Sequence, residues 1–100
     1  MIKVTIKYSE DKFKSLEVKG HAKSDEYGKD LICAAVSAVV IGGMNNIKNI
    51  NQFEYSVEEG LVELKAKSNL SEHDEIVIET IITGLKTIAE DNKDFVQIMK

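Results

Sequence analysis

The only cysteine of the chain, Cys33, follows one of its two histidines, His21, across a short polar stretch. Gly20-His21-Ala22 closes a segment that reads as strand. Asp30-Leu31-Ile32-Cys33-Ala34-Ala35-Val36-Ser37 opens one that reads as helix. A thiol at a helix start and an imidazole at a strand end are the two groups a nucleophilic thiol hydrolase needs, each on an element that holds its side chain rigidly. A thiol of ordinary pKa, about 8.5, is mostly protonated at neutral pH, so such chemistry requires activation. Asp is a favoured N-cap. The expected helix therefore has Asp30 as its cap, Leu31 as its first residue and Cys33 as its third. That position sets the sulfur near the positive end of the helix dipole and the unpaired N–H groups of the first turn, which favour a thiolate and a developing oxyanion. An adjacent imidazole would assist the thiolate and protonate a leaving amine. Ser37 falls one turn beyond Cys33 on the same face, to bond a substrate backbone or its own helix.

Each of these residues also has a purely structural reading. A lone cysteine in an Ala/Val helix is commonly a small core residue. A lone histidine after a strand is commonly structural, and His73, among acids at another helix start, reads as a solvated first-turn residue. Gly20 marks either a tight bend or room for a ligand backbone. One cysteine and two histidines match no recognised metal-ligand spacing, and no cofactor is expected.

The elements that must position these groups alternate plainly. Ile2, Val4, Ile6 and Tyr8 share one face of a first strand, with Lys3, Thr5 and Lys7 on the other. Residues 9–12 read as a hairpin turn. A second strand carries Leu16, Val18 and Gly20 inward, with a bulge expected near Phe13. Residues 22–29 are polar and aperiodic, a loop with Gly28 as a candidate hinge and Tyr27 as a partly buried aromatic; Lys23 and Lys29 read as solvated. The helix through Val36, Val39, Val40 and Ile41 is apolar on almost every side, which predicts burial by more than one neighbour. Gly42-Gly43 marks a weak point or a close contact, and the helix is expected to end by about Lys48. Phe53, Tyr55 and Val57, then Val62, Leu64 and Ala66, form a second hairpin around Glu58-Glu59-Gly60. Ser71 caps a long amphipathic helix carrying Val77, Ile78, Ile81, Ile82 and Leu85. Residues 95–99 form a short last strand or simply dock.

The expected fold is therefore α+β: a two-layer sandwich in the order strand-strand-helix-strand-strand-helix, with antiparallel hairpins and two main helices, in one domain spanning residues 1–100. The first helix carries more apolar surface than one sheet face hides, so a homodimer is expected. Net charge is −4, and all 13 basic residues are Lys, spread along the chain. Without Arg there is no bidentate fork for phosphate or guanine, which disfavours a nucleic-acid partner. No apolar run is long enough to span a bilayer and no signal-peptide pattern opens the chain, so a cytoplasmic protein is expected.

Gly20-His21-Ala22 followed by Asp30, Cys33, Ala34-Ala35 and Ser37 resembles the signature of the ribosomal-processing cysteine protease Prp family, over the whole chain. The resemblance implies a cytoplasmic, homodimeric endopeptidase that removes an N-terminal extension from a large-subunit ribosomal protein, cutting after a pair of aromatic residues. It implies Cys33 as nucleophile and His21 as general base and acid. Gly20, Asp30 and Ser37 take supporting or substrate-binding roles, and the 22–29 loop moves on substrate binding. Asp30 either caps the helix or orients His21. Two other readings of the residues stand beside it: a ribosome-assembly binding module without chemistry, and a redox-sensing thiol protein.

Overall fold

Alternation of apolar and polar side chains builds the sheet. The structure is a computed structural model that describes residues 1–20 and 27–99, with 27–30 described by their backbone alone. β1 (Ile2–Ser9) and β2 (Lys12–Lys19) pair antiparallel, burying Ile2, Val4, Ile6, Leu16 and Val18 and exposing Lys3, Lys7 and Lys19. Glu10 and Asp11 join them with φ of 53° and 66°, the left-handed pair that lets a tight turn follow the twist of its strands. The register shifts between Lys7 and Tyr8, beside Phe13, where a bulge is expected. Tyr8 lies beyond that shift, at the hairpin tip, and is exposed instead of joining the buried face of β1.

β3 (Phe53–Glu58) and β4 (Leu61–Ala66) form the second hairpin, and β4 pairs antiparallel with β2. β5 (Val96–Met99) is a true strand, and it pairs parallel to β1. The sheet order is β3-β4-β2-β1-β5. Helices α1 (Tyr27–Met44) and α2 (Glu72–Asp91) form the second layer, so the fold is the expected α+β sandwich with one added edge strand. No helix among the described residues is long and apolar enough to cross a membrane.

The start of α1 corrects the sequence reading. The helix begins at Tyr27, so Asp30 is its fourth residue and not its N-cap, and Cys33 is the seventh and not the third. Tyr27-Gly28-Lys29-Asp30 contains a glycine and a cap-forming aspartate, both poor in helix interiors, so local propensity alone hides this first turn. Gly28, the candidate hinge, lies in the first turn of α1, so residues 27–29 of the expected 22–29 loop are helical. His21 and Lys23 lie outside the described residues, as do the side chains of Tyr27, Lys29 and Asp30.

α1 and α2 pack closely because each presents a glycine to a β-branched side chain of the other. A Cβ on Gly43 would collide with Ile81, and one on Gly84 would collide with Val39. Nothing lies near a Cβ on Gly42, so the Gly42-Gly43 pair divides into one contact and one open position. The start of α2 is fastened tightly. The Ser71 hydroxyl accepts from the Asp74 N–H at 3.2 Å. The Asp74 carboxylate is fully buried and accepts from the N–H groups of Lys48 and Asn49 at 2.9 and 3.1 Å. The His73 ring donates through Nε2 to the Asn46 carbonyl at 3.0 Å. His73 is thus half-buried and ties down the loop after α1, where the sequence suggests only a solvated residue.

Candidate active site

Cys33, Val36, Ser37 and Val40 recur at helical spacing along one face of α1 and form one wall of a cavity of about 350 Å³. Val36 and Val40 are buried, Cys33 is half-buried and Ser37 is exposed, so this wall runs from the core to the surface. The opposite wall is the tip of the β3–β4 hairpin, from Val57 to Val62. Its position follows from the pairing of β2 with β4, which sets Val18 beside Val62 and Lys19 beside Leu61. The end of β2 closes the space: Gly20 lines the cavity and donates from its N–H to the Gly60 carbonyl at 2.9 Å.

Gly20 is required by the backbone. Its φ is +106°, and a Cβ there would collide with the Met1 carbonyl oxygen, so the tight-bend reading describes what this residue does. It also lines the same cavity as Cys33 and immediately precedes His21, whose placement lies outside the described residues.

The later position of Cys33 changes the electrostatics expected of it. The unpaired N–H groups of a helix belong to its first four residues, and the dipole acts mainly over its first turn. In α1 those residues are 27–30, one turn before Cys33. A helical Cβ tilts toward the N-terminus, so the sulfur leans back toward that turn, but the backbone N–H of Cys33 is not among its unpaired donors. Sequence spacing alone therefore overstates the help that α1 gives the thiol.

Cys33, Ser37 and Gly20 are brought to one cavity, while the side chains of His21 and Asp30 lie outside the described residues. What sequence reading misses is the hairpin wall: Val57, Glu58, Glu59 and Val62 look like an ordinary turn, and only the non-local β2–β4 pairing carries them to the thiol. A larger cavity, about 420 Å³, lies at the other end of the sheet between the β1–β2 tip and α2. It is lined by neither the cysteine nor a described histidine, so the smaller cavity is the candidate site. Among the described residues no three His, Cys, Asp or Glu side chains converge to hold a metal ion.

Residues 1–97 match the model of the family described as Cysteine protease Prp. The chain is 35% identical to the ribosomal processing cysteine protease Prp of Bacillus subtilis, covering 98% of this chain and 96% of that protein. The Prp of Staphylococcus aureus strain Mu50 is 26% identical over 98% of this chain and 97% of its own length. A crystal structure of the ribosomal processing protease Prp from S. aureus, in complex with a covalently linked product peptide, superposes with a TM-score of 0.82 at 26% identity. It covers 99% of this chain and 98% of that one.

Proposed function

The chain belongs to the cysteine protease Prp family, and from that premise we propose that this cysteine protease removes the N-terminal extension of a large-subunit ribosomal protein, with Cys33 and His21 as its catalytic dyad. The observation that carries the reading is the placement of the sole cysteine on the wall of a cavity that Gly20, the residue before His21, also lines. Consecutive Cα atoms are about 3.8 Å apart, so the chain reaches His21 within one residue of that wall. The substrate class rests on the relatives, which are named ribosomal processing proteases.

The chemistry follows from the two groups. His21 takes the proton of the Cys33 thiol, and the sulfur attacks the scissile carbonyl carbon, forming an S–C bond as the carbonyl electron pair moves to oxygen. The tetrahedral species collapses, the C–N bond breaks, and His21 delivers its proton to the departing amine. Water, deprotonated by His21, then hydrolyses the thioester and regenerates the thiol. Asp30, Cys33 and Ser37 recur at helical spacing on α1, and Asp30, no longer needed as a cap, is available to orient His21. Ser37 lines the cavity and serves to hold the peptide backbone. The enzyme acts in the cytoplasm as a homodimer. Leu31, Ala35, Ala38 and Gly42 form an exposed apolar stripe of mostly small residues along α1, with Leu31 57% exposed, and a second copy covering it would bury what the sheet does not.

Mass spectrometry tests the assignment. The substrate is a peptide spanning the extension of a large-subunit ribosomal protein, incubated with wild type, Cys33→Ala and His21→Ala. Wild type is expected to release one defined N-terminal fragment and neither variant to do so. Cleavage that persists in Cys33→Ala removes the proposed mechanism, and an intact substrate with wild type removes the proposed substrate.

A further inference from the structure

The hairpin wall differs in kind from the α1 wall. Between Leu31 and Met44 α1 has no charged residue, so its side of the cavity is apolar except for Cys33 and Ser37. The hairpin adds Val57 and Val62, which continue the apolar lining, and then turns through Glu58 and Glu59. Both glutamates line the cavity and both are exposed, which puts two carboxylates where the cavity meets solvent. Among the described residues no basic side chain lines it.

The turn is also held in place. Gly60 has φ of +76° and its carbonyl accepts the Gly20 N–H. The acidic turn is therefore pinned by a backbone hydrogen bond to the strand end that leads to His21. Fixed charges of one sign at the mouth of an apolar-walled cleft focus potential toward the opposite charge.

We infer that Glu58 and Glu59 make this site selective for substrates carrying a lysine or arginine within a few residues of the scissile bond, beside the apolar side chain that fills the cavity. This rests on the protease reading above and adds a substrate feature to it. An extended peptide advances about 3.3 Å per residue, so one seated at Cys33 cannot leave along the hairpin side without passing the turn. The contacts are solvent-exposed ion pairs, so their role is to choose among peptides and to speed encounter, and salt weakens them.

The test uses a peptide series with one scissile site preceded by apolar residues. A single Lys, Gln or Glu is moved through the positions on either side. kcat/KM is measured for wild type, the double variant E58Q/E59Q and the charge-swapped E58K/E59K. At one or two positions, wild type at low salt should prefer Lys to Gln by about fivefold, the size expected of one or two exposed ion pairs. That ratio should fall toward one in E58Q/E59Q, and E58K/E59K should prefer Glu at the same position. The inversion is a gained preference that unfolding cannot mimic. An equal Lys-to-Gln ratio in wild type and E58Q/E59Q at every position overturns the inference while leaving the protease reading standing. Fluorescence anisotropy of the same peptides on Cys33→Ala reads selectivity without turnover. A Lys preference in binding that E58Q/E59Q abolishes, with no cleavage by wild type, keeps the selectivity and removes the protease reading.

Discussion

The two helices lie in one layer over one sheet, yet only α2 explains itself. It buries Val77, Ile78, Ile81, Ile82 and Leu85 and turns Glu75, Glu79, Lys86 and Glu90 to solvent. Its start is closed by Ser71, His73 and Asp74, each with a partner. α1 is the more apolar of the two and distributes that surface differently: Ile32, Val36, Val40 and Met44 are buried, while Leu31, Ala34, Ala35, Ala38 and Gly42 face outward with no charge among them. A helix whose wet face is charged, with a single large apolar side chain (Ile76, 56% exposed) left on it, is nearly complete in its own fold, whereas one with an uncharged apolar stripe leaves that stripe uncovered by its own fold. The thiol sits on the second kind of helix. Side-chain hydrogen bonds gather at the start of α2, and uncovered apolar surface along α1.

That division can be broken at its strongest point first. Asp74→Ala strips two N–H groups of a buried acceptor and should cost about 2–4 kcal/mol in urea unfolding. Turnover per folded molecule should hold; a cost below about 0.5 kcal/mol, the range of an ordinary surface substitution, would show that the clamp at α2 is not a centre of stability. Gly43→Ala forces a methyl group against Ile81 and should lower stability by about 1–3 kcal/mol through overpacking of the α1–α2 contact. Ala38→Glu probes the outer stripe. It should leave monomer stability within about 0.5 kcal/mol, as for other surface substitutions, while light scattering shows a dimer reduced to monomers. An unchanged mass would leave the exposed face of α1 without the partner assigned to it. Gly42→Ala has the smallest effect and the opposite sign when made in the Ala38→Glu background, where no second copy covers α1: with open space around the added methyl in the single chain, helix propensity should raise stability by about 0.5–1 kcal/mol. A loss in that background would mean that Gly42 meets a neighbour within its own chain.

The same contrast explains what could be read from the sequence. The α2 stripe and its Ser71 cap are local patterns, as are both hairpins, and these are legible residue by residue. The bulge near Phe13 is foreseeable, but the exposure of Tyr8 is not, because strict alternation carries it onto the buried face until the register shift removes it. The first turn of α1 is hidden by Gly28 and Asp30, whose propensities argue for a loop and a cap. β5 is too short to state a partner, and its parallel pairing with β1 comes from the path of the chain after α2. At the site, Cys33 and Ser37 announce themselves by type and spacing. The Val57–Val62 wall does not, since strand pairing over long sequence separation brings it to the thiol.

The central claim is that Cys33 forms the bond that the peptide passes through. Rapid-quench intact mass spectrometry of the enzyme mixed with the extended ribosomal-protein substrate tests it most directly. The account predicts a transient adduct on the Cys33 peptide, equal in mass to the released N-terminal fragment less one water, and absent in Cys33→Ala. Cleavage at full rate with the adduct on another residue, or undiminished in Cys33→Ala, would contradict it.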